Sequence, residues 1–347
     1  MRKFAKVFQD VTDAPLVSVV LPVRDAWKHL PQAVASVRGQ TLKDWELVVV
    51  DDGSLDGTGH WLQKLNQEME QLRLVTTEPC GIAAALQAGC ALARGRFVAR
   101  MDADDVMAPE RLERQAAFLE LHPEVGLVSC RVNYGGNAAG YAAHVDWING
   151  LLTTEAMTLR RFVEAPVAHP SVMFRRGLLE EHGGYQIGAF PEDYELWLRW
   201  LEGGVRFAKL PEPLLTWNDP PDRLSRTDER YSVEAFFAMK SAYLANWLKR
   251  EVPPERKLWL WGAGRITRQR FRVLADHGVT LAGFVDVNPA KTGQVLAGLP
   301  VRGHEDLPER ESSFLLAGVG ARGAREEIAD YLTARGWREG LDFLLVA

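Results

Sequence analysis

The feature that most constrains this chain is a repeated order in its first half: a short apolar run, an acidic or glycine turn, then a helical stretch. Val17–Leu21 is nearly all Val and Leu, which suits a strand buried on both faces. A helix from about Ala26 to Val37 follows, with Leu30, Val34 and Val37 on one face. Trp45–Val50 predicts a second buried strand and ends in Asp51-Asp52-Gly53-Ser54; Leu55–Thr58 then opens a helix over about Gly59–Met69. Arg73–Val75 predicts a short strand, and Ile82–Ala93 an Ala-rich helix closed by Gly95. Arg96–Met101 predicts another buried strand, ending in Asp102-Ala103-Asp104-Asp105, and Pro109 sits near the first turn of a helix carrying Leu112, Ala116 and Leu119. Such alternation encodes an α/β fold in which crossover helices flank a sheet.

At 347 residues the chain is too long for one ordinary core, so two domains are expected. After Gly135-Gly136 the pattern weakens, which predicts an irregular loop. It recovers in a strand at His169–Phe174 and a Trp/Leu-rich helix at Asp193–Leu201. Asn218-Asp219-Pro220-Pro221-Asp222 excludes regular structure, because paired prolines break helices and inner strands. Ser232–Lys249 is an amphipathic helix, and Val252-Pro253-Pro254 marks the domain boundary. From Lys257 the β/α alternation restarts in a small doubly wound unit, with strands at 258–261, 281–285, 314–319 and 343–346 and helices at 266–277 and 324–334. The expected division is therefore 1–230, a linker helix at 231–254, and 255–347.

Composition narrows the function classes. A 47% hydrophobic and 25% charged chain is an ordinary folded protein, not a disordered or fibrous one. The formal charge of −5, without a basic run, argues against a nucleic-acid partner. Cys80, Cys90 and Cys130 are an odd number with no metal-ligand spacing, so a reducing compartment is expected. MRKFAKVFQDVTDAP lacks the apolar core of a signal peptide, and no apolar run is long enough to cross a bilayer. The expected location is cytoplasmic, with the inner face of the membrane as a further option.

Three strands of the first half end in chemistry: Pro22-Val23-Arg24-Asp25, Asp51-Asp52-Gly53-Ser54 and Asp102-Ala103-Asp104-Asp105. Open parallel sheets bind ligands beyond their carboxyl ends, so these residues converge on one rim. Carboxylates gathered on a rim repel each other unless a cation lies among them, and a hard divalent ion such as Mg²⁺ or Mn²⁺ suits oxygen ligands and phosphate. Each motif also has a bland explanation. Asp51-Asp52-Gly53 alone is a strand-to-helix turn, Asp105 a helix cap, and a lone DxD a chance pattern.

The combination is more specific than its parts. VSVVLPVRDAWKHLPQAVASVRGQTLKDWELVVVDDGSLDGT, GIAAALQAGCALARGRFVARMDADDVMAPERLERQ, HPSVMFRR and GGYQIGAFPEDYELWLRW together resemble family 2 inverting glycosyltransferases of the GT-A fold, over residues 15–230. The resemblance implies a nucleotide-diphosphate sugar donor, a saccharide or lipid-linked acceptor, and a Mg²⁺ or Mn²⁺ cofactor, in bacterial surface-polysaccharide or glycoconjugate synthesis. Association with a membrane and a homodimer are left open. By the same resemblance Asp52 recognises the base, Pro22, Val23 and Asp25 line the nucleoside, and Asp104 holds the metal with Asp102 on the metal or the ribose. Asp193 is the implied general base, although an acidic residue at a helix start is favourable whatever its chemistry. Glu192, His169 and Arg226 form a second rank. Relatives often place a histidine in the loop after the Glu-Asp helix; here LLTWNDPPDRLSRTDERYS has none, and Trp217, Arg223, Arg226 and Arg230 are either a diphosphate clamp or ordinary surface groups. Trp197 and Trp200, at helical spacing, read as core.

In the last ninety or so residues, Leu258–Thr267 reads as strand, glycine turn and helix start, with Asp286 ending the next strand. Gly262, Gly264 and Asp286 are placed as in a dinucleotide fingerprint, but Thr267 replaces its third glycine. Gly318-Val319-Gly320-Ala321-Arg322-Gly323 is a second glycine-rich strand end. GAG…GFVDVNPAKTGQVLAGLPVRG resembles the nucleotide-sugar-binding domain of bacterial sugar acyltransferases. Two other readings stay open: an NAD-dependent nucleotide-sugar oxidoreductase, and a non-catalytic sugar-nucleotide sensor.

Overall fold

The computed structural model describes residues 14–347 except 222 and 322. The leader expectation for the N-terminal stretch rests largely on residues outside that range, as do Asp222 and Arg322. The chain divides into two compact units: the first runs up to Met157 and adds Val167–Gly188 and Gly203–Thr227, and the second comprises Thr158–Pro166, Ala189–Glu202 and Asp228–Ala347. No helix among the described residues is long and apolar enough to cross a membrane.

In the first unit the strands are β1 (Val17–Val23), β2 (Trp45–Asp51), β3 (Leu72–Thr76), β4 (Phe97–Arg100), β5 (Val106–Met107), β6 (Leu127–Tyr134), β7 (Met173–Arg175) and β8 (Phe207–Trp217). They form one mixed sheet in the order β3-β2-β1-β4-β7-β6-β8-β5. β3, β2, β1 and β4 are parallel neighbours, and β7 enters antiparallel to β4. On one face Val17, Val19, Leu21, Leu47 and Val49 pack with Leu30, Val34 and Val37 of the helix Leu30–Arg38 and Leu62 of the helix Thr58–Glu68. On the other, the helix Ile82–Leu92 comes so close that a Cβ on Gly89 would lie 2.6 Å from Val20 Cγ1.

The turn into β4 is tighter still. A Cβ on Gly95 would sit 2.5 Å from the Ser18 nitrogen, 2.8 Å from the Val17 carbonyl carbon and 2.9 Å from the Phe97 oxygen, all backbone atoms that cannot rotate away. Gly95→Ala is therefore expected to cost about 2–4 kcal/mol in urea unfolding; an unchanged midpoint would mean that β1 and β4 separate without penalty.

The second unit carries β9 (Lys257–Trp261), β10 (Leu281–Asp286), β11 (Val295–Leu296), β12 (Leu299–Gly303), β13 (Ser313–Ala317) and β14 (Phe343–Leu345), in the order β11-β12-β10-β9-β13-β14. Apart from the β11–β12 hairpin its pairings are parallel. Taken in chain order, these parallel strands follow the doubly wound 3-2-1-4-5 arrangement. Ser232 caps the long helix Val233–Glu251 by accepting from the Ala235 N–H at 3.2 Å. Unlike the sequence boundary at 230, the second unit takes in the helix Glu192–Glu202. The reason is burial: Tyr194 and Leu198 share a core with Phe162, Leu244 and Trp247, and the Tyr194 hydroxyl donates to the Arg161 carbonyl at 2.6 Å. Trp197 and Trp200 are fully buried and Trp259 and Trp261 nearly so, as core residues should be.

Three local expectations are corrected. Residues 139–150 form a helix rather than a loop. His169–Ser171 is a 3₁₀ turn, with the strand beginning only at Met173. Asp105 caps nothing: the helix beyond it runs over Arg111–Leu121, with Glu110 at the cap position.

Candidate active site

The parallel strands β1, β2 and β4 bring Asp25, Asp52 and Asp102–Asp105 to one edge of the first sheet. Register fixes this, since Val23 pairs with Asp51 and Val20 with Arg100. The Asp52 N–H continues the ladder to the Val23 carbonyl at 2.9 Å. Pro22 and Val23 are the last residues of β1, and Asp25 just beyond them has φ +49°, held by its N–H to Ser54 Oγ at 2.9 Å and by Leu55 N–H donating to Oδ1 at 2.7 Å.

The two adjacent aspartates divide their work. Asp51 accepts from the Ser54 N–H at 3.1 Å and makes the turn, where Gly53 has φ +69° and a Cβ would strike the Pro79 ring at 2.7 Å. Asp52 is buried and accepts from the Cys80 N–H at 2.6 Å, the Cys80 thiol at 3.0 Å and the Gly81 N–H at 2.9 Å. Burial pushes the Asp52 pKa up, but these bonds and the Arg24 guanidinium 3.9 Å away outweigh it and hold the carboxyl below its usual range. Asp52 is thus a fixed anion at neutral pH.

Beyond β4 the carboxylates of Asp102, Asp104 and Asp105 each offer an oxygen within 4.8 Å of the others. Asp102 is ion-paired with the buried Arg100. Asp105 is 1% exposed; its Oδ1 accepts from the Asn218 N–H at 2.8 Å, while its Oδ2 is buried with no hydrogen-bond partner among the described residues. Burial, and then repulsion from Asp102, lifts Asp104 to about 6. Asp105 is pushed well above the carboxylate range by burial and by both neighbours. The three carboxylates outnumber the guanidinium of Arg100, and their donor set of oxygens with one unsatisfied buried atom fits a hard divalent cation. Asp105 and Arg100 were not legible as partners in it; only the unbroken Asp-Ala-Asp-Asp run hinted at the third carboxylate.

The remaining candidates make contacts of their own. His169 is buried with Nε2 2.7 Å from the Tyr185 hydroxyl, and burial, then the Arg100 charge, keeps its imidazole neutral. Arg226 donates to Asp219 at 2.6 Å and to the Pro220 carbonyl at 2.7 Å. Glu192 and Asp193 open the helix Glu192–Glu202 of the second unit. There Glu192 is buried and accepts from the Tyr231 hydroxyl at 2.7 Å, and Asp193 Oδ1 accepts from the Tyr194 N–H at 2.7 Å. Also in the second unit, Gly262 has φ +115° and Gly264 caps the next helix. Asp286 is committed to that turn: its carboxylate accepts from the Ala263 N–H at 2.8 Å, the Asn288 N–H at 2.9 Å and Lys291 Nζ at 2.8 Å. These three bonds tie the turn together.

Comparison with known proteins agrees with the geometry of the first unit. The sequence model of Glycosyl transferase family 2 matches residues 18–183. The amylovoran biosynthesis glycosyltransferase AmsE of Erwinia amylovora is 32% identical over 191 residues, covering 54% of this chain and 70% of AmsE. The O-antigen biosynthesis glycosyltransferase WbnJ of Escherichia coli is 25% identical over 238 residues, covering 68% of this chain and 90% of WbnJ. Among solved structures, residues 1–349 of S. aureus TarS in complex with UDP-GlcNAc share the fold at TM-score 0.52 and 17% identity, over 75% of this chain and 70% of that one. With its β4 carboxylates set at the sheet edge and its sequence aligned to these enzymes, the chain belongs to Glycosyl transferase family 2 and is a glycosyltransferase.

Proposed function

We propose that this glycosyltransferase moves a sugar from a nucleotide-diphosphate donor to an acceptor hydroxyl in one displacement with inversion, aided by Mg²⁺ or Mn²⁺. The observation that carries the reading is the Asp102–Asp104–Asp105 cluster at the end of β4, with its unsatisfied buried oxygen. Asp104 and Asp102, joined by Asp105, would hold the ion, which supplies positive charge against the departing diphosphate. The ionised Asp52 accepts an N–H from the base, and Pro22, Val23 and Asp25 line the nucleoside. Asp193 takes the proton from the acceptor hydroxyl, so no covalent nucleophile is needed. The relatives named for amylovoran and O-antigen biosynthesis favour a saccharide or lipid-linked acceptor in surface-polysaccharide assembly. TarS with UDP-GlcNAc is an example of the donor class on this fold.

A melting-temperature panel of UDP, GDP and CMP, each with and without Mn²⁺, tests the donor site. One nucleoside diphosphate should raise the melting temperature by several degrees and only with metal, by mass action on the folded state. No shift with any nucleotide would end the reading.

A further inference from the structure

The segment after β8 contains a guanidinium that no acidic partner among the described residues fully claims. Asn218 anchors the segment to the acidic cluster, donating from its backbone N–H to Asp105 at 2.8 Å and from its side chain to the Asp104 carbonyl at 2.6 Å. Asp219 anchors it on the other side, accepting from Tyr134 Oη at 2.7 Å and from Arg226 at 2.6 Å. Between these anchors and the helical turn Leu224–Thr227, Arg223 lies with its guanidinium carbon 4.5 Å from the centre of the Trp217 ring and 4.8 Å from that of Tyr141. Its side chain is only 16% exposed; among the described residues its nearest carboxylate contact is a loose 3.9 Å to Asp219, and its Nη1 is buried without a hydrogen-bond partner. The charge of Arg223 nonetheless pulls against the raised pKa values of both Asp104 and Asp105, so it lies within electrostatic reach of them.

We propose that Arg223 is a binding residue for the donor's diphosphate, a fixed cation that meets phosphate oxygens beside the metal-binding carboxylates. The aromatic rings hold the guanidinium plane without using its N–H groups, which suits bidentate recognition of a phosphate. Arg226 differs, because it is closely ion-paired with Asp219 at 2.6 Å and also donates to the Pro220 carbonyl. Formally, three carboxylates against Arg100 and Arg223 leave one negative charge; a divalent ion turns this into one positive charge, which attracts an anion only once the metal is bound. The assignment rests on the metal–diphosphate reading above and adds to it one named side chain, in a loop that lacks a histidine ligand.

Inorganic pyrophosphate is the probe, because it needs no knowledge of the base. Mn²⁺ alone, then pyrophosphate with Mn²⁺, are titrated by calorimetry into the whole chain as wild type, Arg223→Gln and Arg223→Lys. Arg223→Gln should bind Mn²⁺ as well as or better than wild type, since a competing cation has gone, and bind pyrophosphate about tenfold or more weakly. Arg223→Lys should fall between, keeping charge but losing the planar fork. These opposite signs exclude a purely structural role, which would weaken both ligands together. Equal loss of both ligands in Arg223→Gln and Arg223→Lys, or unchanged pyrophosphate affinity, overturns the role of Arg223 alone. Failure of the wild type to bind pyrophosphate with Mn²⁺ overturns the diphosphate site itself.

Discussion

Asp193→Asn is expected to lower kcat by about a thousandfold while leaving nucleotide affinity within a factor of two or so, the size of effect expected when a positioned general base is removed. Two roles compete for this residue. It opens the helix Glu192–Glu202, where a negative side chain favours the helix dipole, and its Oδ1 accepts from the Tyr194 N–H at 2.7 Å. Asparagine keeps the same acceptor oxygen at the same place and is itself a good residue at a helix start, so the fold should survive. What it removes is the capacity to take a proton. The variant therefore separates the roles: a helix-start residue would give a slightly less stable enzyme with normal turnover, and a base would give a stable enzyme with almost none. Glu192, the second-rank candidate, is buried and already accepts from the Tyr231 hydroxyl, so Glu192→Gln is the control variant. The comparison needs kcat and the nucleoside diphosphate affinity measured on the same preparations. Turnover within threefold of wild type would leave Asp193 as a helix residue only.

What the sequence reveals and what it hides follow from period and from neighbours. β1, β2 and β4 are legible because strands buried on both faces are written as short, largely apolar runs, and their acidic ends follow closely in the chain. β8 is hidden by Pro211 and Pro213, which argue against an inner strand. The structure accommodates them by a slip: Cys130 pairs with Leu210 but Arg131 with Pro213, so the chain bulges at the prolines and the ladder resumes. The helix at 139–150 buries only Val145 and Ile148 and carries two glycines, which leaves too little pattern to read. The acidic cluster shows the same division. Asp102 and Asp104 stand out by spacing, but the chemistry of Asp105 depends on Asn218, more than a hundred residues away, and on burial that no local pattern reports. Likewise Asp286 ends its strand as the pattern predicts, and only its partners Ala263, Asn288 and Lys291 reveal that it holds a turn.

Asp104→Asn should reverse the stability ranking depending on metal. Burial, then Asp102, raises the Asp104 pKa from its ordinary value of 3.8 to about 6. A carboxyl with a raised folded pKa binds its proton more tightly in the folded protein than in the unfolded chain. Its ionisation therefore destabilises the fold progressively between about pH 4 and pH 6, and the penalty persists above that range. Asparagine is a neutral stand-in for the protonated form, so at pH 7 and without metal the variant should be more stable than wild type by about 1–3 kcal/mol. The gap should shrink as the pH falls through the same window, be small by pH 4, and close only below the ordinary value of 3.8, where the wild-type group is protonated in both states. Saturating Mn²⁺ should stabilise the wild type strongly and the variant little, because a neutral amide oxygen is a poorer ligand for a hard cation. That metal effect should itself weaken below about pH 6, where binding must first displace a proton. Urea unfolding at pH 4, 5.5 and 7, with EDTA and with Mn²⁺, reads all of these terms. A variant less stable than wild type in EDTA at pH 7 would mean that Asp104 is an ordinary ion-paired aspartate, and the electrostatic account of the cluster would go with it.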